Sequence, residues 1–361
     1  QYRPSPPNSL YPLTAKSQML KNNPQAWHKA IAQPAKEFAT TPLKVLSGKV
    51  PTDLNGTYFQ NGTGRLQRGQ QSVGHWFDGD GAILRVGIGE GKASVKNAAN
   101  TSVFALPDKL LALWEAGNPH SLDLETLETK GIDSLGWLKT AQPFSAHPLK
   151  DPLSGEIYTI GVTPQCQLKI HRCDASFNLI KQTSIPLKTV PMVHSFAVAG
   201  PYLVFLVSPV TVDPLKLLLN KQSFTDAVEW TPEQGTRIIV VDRETLATVS
   251  DSRTDPWFQW HYGNGCIEQD GSIKLDFVRF DNFLHINEVL REVPTGNIQT
   301  KAYGRLWQLR LDPTTGKILN NDCVLERDCE FPMVAAAKVG QPWQHTYVMM
   351  HRDHVSTGEN W

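Results

Sequence analysis

Short apolar runs separated by glycine- and proline-rich turns recur along most of this chain, and almost none of them repeats at a helical period. Strand-like pieces fall at Ala82–Val86, Glu156–Val162, Gln167–His171, Tyr202–Ser208, Arg237–Asp242, Ser272–Phe280, Gly304–Leu311 and Thr346–Met350. Their β-branched and aromatic content suits a pleated, packed environment, and dipeptides such as Asn55-Gly56, Asn61-Gly62 and Asp80-Gly81 favour tight turns. The densest stretch is Pro191–Pro209, where His194 stands at the head of Val198, Tyr202, Leu203, Val204, Phe205, Leu206 and Val207. So continuous an apolar run predicts burial, and a histidine entering it needs a hydrogen bond, a charge partner or a metal.

A weak internal repeat accompanies these pieces. Asp123, Asp174, Asp242 and Asp312 each follow an apolar or strand-like segment and open a short turn, at separations of 51, 68 and 70 residues. The spacing is long for one four-stranded blade, and insertions between strands account for the excess. It favours a propeller over a sandwich. Two regions depart from the pattern. Residues 1–50 read as an irregular arm with one short helix around Pro24–Phe38. Val210–Trp230 reads as an amphipathic helix or lid, either packed on the body or forming an apolar entrance that touches a membrane or an apolar substrate.

Composition narrows the function classes. The chain has 361 residues with 35 basic and 35 acidic side chains, and this zero balance, with no sustained basic run, argues against a nucleic-acid surface. Cys166, Cys173, Cys266, Cys323 and Cys329 are odd in number and lack C-x-x-C spacing, which fits a reducing, cytosolic compartment better than a disulfide framework. No apolar segment reaches bilayer length, and no signal-peptide pattern opens the chain. The glycine-rich Leu54–Val86 has neither a Walker lysine pattern nor a G-x-G-x-x-G between strand and helix, so it is not a nucleotide loop.

Candidate chemistry lies in three histidines. His147, His194 and His261 each sit where a turn or loop meets a strand, 47 and 67 residues apart, which suggests one inward-pointing imidazole per successive blade. Several imidazoles at one axis suit Fe, Zn, Cu or Ni rather than Ca or Mg. Spacing this long leaves the alternative open that each is a core histidine with one hydrogen bond. His75 reads as a structural group tying down its own loop, and His28, His120, His171 and His285 have no comparable setting.

Several segments resemble the carotenoid cleavage oxygenase family, which includes the cyanobacterial apocarotenoid oxygenases. They are NGTYFQNGTG at Asn55–Gly64, HWFDGDGAILRV at His75–Val86, FSAHPLKDPLSGE at Phe144–Glu156, MVHSFAVAGPYLVF at Met192–Phe205, HYGNGCIEQDG at His261–Gly271 and ERDCEFP at Glu326–Pro332. The resemblance implies an all-β, seven-bladed propeller, residues 51–361 forming one incomplete domain behind the 1–50 arm, with a helical or loop cap over the active-site entrance. It also implies Fe2+ held near the axis by four histidines. His147, His194 and His261 match the first three, and Glu115 and Glu330 match glutamates that orient ligand imidazoles.

The implied activity is O2-dependent cleavage of a carotenoid or apocarotenoid double bond to carbonyl products, with no organic cofactor. Its partners would be O2, an apolar polyene and, through 210–230, a membrane surface. Stilbene cleavage, retinoid-type isomerohydrolysis and an iron-free apolar-ligand carrier stay as alternatives. Two features depart from the family pattern. An Asn-Ala pair followed by an aromatic residue and Glu is usual after the third ligand, where this chain has Asn264-Gly265-Cys266-Ile267-Glu268. The segment carrying the fourth histidine would follow Trp361, so either a C-terminal part is missing from this chain or His345, His351 or His354 takes the role.

Overall fold

Antiparallel sheets make up nearly all the regular structure in the computed structural model, which describes residues 38–350 apart from 69–70, 99–101, 214–215 and 217–222. Five four-stranded sheets follow one another along the chain. The first orders Gly56–Arg65, Asp80–Gly89 and Lys92–Ala98 from one edge to the other, with Thr41–Pro42 outermost. The other four are plain meanders: Ser102–Ala105 to Thr129–Ile132, Leu149–Lys150 to Leu179–Pro186, Ala197–Ala199 to Thr248–Thr254, and Tyr262–Ile267 to Ile318–Leu325. A two-stranded sixth sheet pairs Cys329–Met333 with Tyr347–Met350. The leading strand of the fourth sheet lies against that of the fifth, and that of the fifth against Cys329–Met333. The chain therefore builds an all-β, propeller-type fold in which the first strand of each blade lies innermost.

Packing between neighbouring blades explains why the sequence shows apolar runs rather than alternation. In Tyr202–Val207, Leu203, Phe205 and Val207 join Ile160, Leu168 and Ile170 of the third sheet, while Val204 and Leu206 join Leu275, Phe277 and Leu309 of the fifth. Successive side chains point to opposite faces, and here both faces are buried. The outermost strands lack a second neighbour and turn polar, as in Thr248–Thr254.

Each repeated aspartate opens the turn between the third and fourth strands of its sheet. Asp242 accepts from Glu244 N at 3.1 Å and from Thr245 N at 2.7 Å, and Asp123, Asp174 and Asp312 bind their own turns in the same way. Three or four residues later the backbone enters the left-handed region at Leu127, Phe177, Leu246 and Gly316, closing the turn on the aspartate carbonyl.

A cap covers one part of this body. The helix Phe283–Glu292 buries Phe283, Ile286, Val289 and Leu290 in a cluster with Val210, Phe258, Trp260 and Phe280. That helix was not expected from the sequence, although Asn282 marks its start by accepting from His285 N at 3.2 Å. Val210–Trp230, expected to be a short amphipathic helix or a lid, begins and ends in strands instead: Val210–Val212 and Val228–Trp230 pair antiparallel and join Val190–Pro191, while Lys216 between them is helical. The leucines at 217–219 and the expected helix around Pro24–Phe38, except Phe38 itself, lie outside the described residues. Among the described residues, no helix is long and apolar enough to cross a membrane, and all five cysteines are free thiols.

Candidate metal centre

Three sheets deliver one histidine each to a common point. His147 stands two residues before Leu149–Lys150, His194 three before Ala197–Ala199, and His261 directly before Tyr262–Ile267, so each heads the innermost strand of its sheet. Local bonds fix the approach of two of them. His147 N donates to Ser145 Oγ at 2.9 Å, and the His261 carbonyl accepts from Val278 N at 3.1 Å. The Nε2 atoms of His147 and His194 are 2.9 Å apart and those of His194 and His261 are 3.2 Å apart. Among the described residues these three form the only His, Cys, Asp or Glu group with metal-binding spacing, their donor atoms all within 4.8 Å. His345 is outside that group, and His351 and His354 lie outside the described residues.

Two carboxylates decide which nitrogens are available. Glu330 Oε2 lies 2.8 Å from His261 Nδ1, and Glu115 Oε1 hydrogen bonds His194 Nδ1. A carboxylate only accepts, so each Nδ1 carries a proton and Nε2 is the nitrogen that can turn a lone pair to a metal. The Nε2 atoms of His194 and His261 face each other at 3.2 Å. Burial, reinforced by the two neighbouring imidazoles, holds the His147 pKa well below the usual histidine value, so its ring is neutral. Imidazole nitrogens converging in this way fit a metal cation between them. Two nitrogen donors about 2.1 Å from one ion and at right angles lie about 3.0 Å apart, close to the separations seen here.

Glu115 and Glu330 reach the centre from different settings. Glu115 follows the second strand of its sheet, Leu110–Leu113, in a turn locked by Trp114, whose Nε1 donates to Asn118 O at 3.0 Å. That indole packs so closely on Gly117 that a Cβ there would lie 2.7 Å from the ring. Glu330 is in the leading strand of the sixth sheet, and its Oε2 also accepts from Phe331 N. Phe331 adopts a left-handed φ of 52°, and its ring lies 4.9 Å from that of His261. The Glu330 Oε1 atom is buried without a hydrogen-bond partner among the described residues.

An aromatic wall, absent from the sequence reading, flanks the cluster. Trp260 sets its edge on His194 at 5.1 Å, Phe77 meets Trp260 at 5.3 Å, and Phe283 of the cap helix packs on Phe258 at 4.9 Å. The position of Trp260 directly before His261, within the aromatic group Trp257–Trp260, was the available signal. His75 stands apart from the cluster: it is fully buried, and its Nδ1 accepts from Phe77 N at 3.1 Å. The departure at Gly265 has a steric reason, since a Cβ there would lie 2.7 Å from Val198 O and 3.0 Å from Ala199 Cβ of the adjoining sheet.

The chain is similar to proteins of known activity. The sequence profile described as retinal pigment epithelial membrane protein matches residues 31–97 and 91–360. An apocarotenoid-15,15'-oxygenase from Synechocystis is 27% identical over 399 aligned positions, spanning 96% of this chain and 80% of that protein. A carotenoid cleavage oxygenase from Mycobacterium tuberculosis is 24% identical, spanning 88% of this chain and 76% of its own. The crystal structure of cobalt-substituted Synechocystis ACO superposes with a TM-score of 0.82 at 25% identity, covering 91% of this chain and 79% of that one.

Proposed function

The chain belongs to the retinal pigment epithelial membrane protein family, and from that premise we propose that it is a non-haem iron(II) dioxygenase cleaving a conjugated carbon–carbon double bond of a carotenoid or apocarotenoid. One O2 is consumed per bond cut, and its two oxygen atoms end in the two carbonyl groups that replace the C=C bond. The observation that carries this reading is the convergence of the Nε2 atoms of His147, His194 and His261, with a carboxylate held on Nδ1 of His194 and of His261.

Fe2+, when bound, supplies the redox-active centre at which O2 is activated. The remaining work belongs to the protein. His147, His194 and His261 would hold the ion, and Glu115 and Glu330 keep His194 and His261 in the tautomer and direction that present Nε2. Trp260 and Phe331 lie beside His194 and His261, and Phe77 packs on Trp260, which puts apolar, aromatic surface suited to a polyene next to the histidines. No general acid or base is assigned, because both oxygen atoms come from O2 and no proton transfer is needed for the overall balance. The segment 210–230 is proposed as the contact with a membrane that stores the substrate, which liposome flotation of the whole protein would test.

The decisive experiment loads the protein with Fe2+ anaerobically, admits 18O2 and follows a panel of carotenoids, apocarotenoids and stilbenes by product mass. Cleaved aldehydes labelled at both new carbonyls are expected from polyenes. Products of unchanged chain length would point to isomerohydrolysis instead, and stoichiometric ligand binding without turnover would point to a carrier.

A further inference from the structure

A single buried carboxamide ties together the sheets on which His194, His261 and Glu330 ride. Asn264 is three residues beyond His261 in the leading strand of the fifth sheet and is 4% exposed. Its Oδ1 accepts from Gly340 N at 2.9 Å, while its Nδ2 donates to Lys338 O at 2.8 Å and to Gln341 O at 3.0 Å. The same turn is bonded to the fourth sheet: Gly200 N donates to Gly340 O at 3.1 Å, and Gly340 forms a parallel bridge with Ala199. Residues 338–341 also connect the two strands of the sixth sheet, the first of which carries Glu330.

The surroundings are shaped to this arrangement. Asn264 N donates to Asp276 Oδ1 at 2.6 Å, and a Cβ at Gly263 would lie 2.5 Å from that oxygen. The other Asp276 oxygen accepts from Thr346 Oγ1, which in turn accepts from Trp343 Nε1 at 2.9 Å. Gly340 has φ +74°, and a Cβ there would lie 2.9 Å from Val198 Cγ1. The position demands one acceptor and two donors on a short planar group, which of the side chains only an amide offers. A leucine or alanine would leave the buried Gly340 N without its acceptor and would take one donor each from Gln341 O and from Lys338 O, which keeps the bond from Gln341 N at 3.0 Å.

We propose that Asn264 is a positioning residue for the metal centre: by clamping residues 338–341 across the fourth and fifth sheets it sets the separation of His194 and His261 and the reach of Glu330. The role rests on the reading of the three histidines as a metal site. It acts through strand placement, since Asn264 itself touches neither imidazole nor substrate.

The test compares wild type, N264A and S250A, titrating each with Co2+ and following the visible absorption of the bound ion, with hydrogen exchange at Gly200 and Gly340 as a second readout. Ser250 is the control because its Oγ makes a buried inter-sheet bond to Pro313 O at 2.8 Å, outside the clamp. N264A is expected to weaken Co2+ binding by about 10-fold or more, to alter the absorption envelope and to speed exchange at both glycines. S250A is expected to keep the wild-type affinity and spectrum. Unchanged affinity and spectrum in N264A, or an equal loss in S250A, overturns the positioning role. Failure of the metal reading itself looks different: wild type takes up no Co2+, or H194A takes it up as tightly as wild type, and both claims then fall together.

Discussion

An imidazole offers two nitrogens, and which of them can bind a metal depends on what holds the other. At His261 the choice is made by Glu330, a residue 69 positions away whose carboxylate is 2.8 Å from Nδ1. Replacing it by Gln removes the negative charge and permits the amide to donate, so the tautomer with Nε2 protonated is no longer excluded. E330Q is therefore expected to bind Co2+ about 10- to 100-fold more weakly than wild type, with the apo-protein unfolding at nearly the same urea concentration. Wild-type affinity in E330Q would remove Glu330 from the centre. Residues of this kind are the least legible in a sequence. The setting of each histidine at a turn-to-strand boundary is visible locally, whereas Glu115 and Glu330 meet their imidazoles 79 and 69 residues away with no local pattern to announce it. Only the family resemblance singled them out, and it gave no role to Trp260 or to Asn264.

At the scale of elements, legibility followed burial. The strands expected at Gln167–His171, Tyr202–Ser208 and Arg237–Asp242 are observed at Gln167–Cys173, Tyr202–Val207 and Thr236–Asp242; the last two carry the apolar runs that a blade packed on both faces needs, while in Gln167–Cys173 the buried Leu168 and Ile170 alternate with Gln167 and Lys169. The aspartate turns were legible for a different reason: each satisfies its own backbone within a few residues, so the signal is local. The helix Phe283–Glu292 leaves little trace in the sequence because only one face is buried and its four apolar contacts follow directly on a strand. Elements also meet where side chains are missing. Gly161 lies in Ile157–Thr163, and a Cβ on it would fall 2.2 Å from Pro143 O, at the base of the loop that leads to His147. Since that atom is backbone, G161A must displace either the strand or the loop. A loss of about 1–3 kcal/mol is expected from such overpacking, read from urea unfolding, together with weaker Co2+ binding. A variant with wild-type stability and metal affinity would show that the loop is free to move without disturbing His147.

Across the whole molecule, the blades bury imidazoles that the metal centre does not use, and these set how the fold responds to acid. His171 is fully buried in the third sheet, where desolvation lowers its pKa to about 4, and burial with the nearby Arg291 charge lowers that of His75 to about 3. Unfolded histidine titrates near 6.5. Above that pH neither state binds the proton. As the pH falls below 6.5 the unfolded chain takes it up first, so stability declines until the folded pKa is reached, by on the order of 3 kcal/mol for His171 at pH 4. Asp276 opposes this at the acid end, since burial raises its pKa and its folded carboxyl accepts a proton before an unfolded one does. Most carboxylates with resolved shifts are lowered, so they stay ionised through the interval from pH 6 to pH 5 and leave it to the histidines. In chelator, which removes the metal's own pH dependence, wild-type stability should fall between pH 6 and pH 5. H171L should reduce that slope by about one proton, or about 1.4 kcal/mol per pH unit. An unchanged slope in H171L would mean that His171 is protonated within the blade, and the buried pair with Gln142 and the Trp137 ring would have to hold a charge.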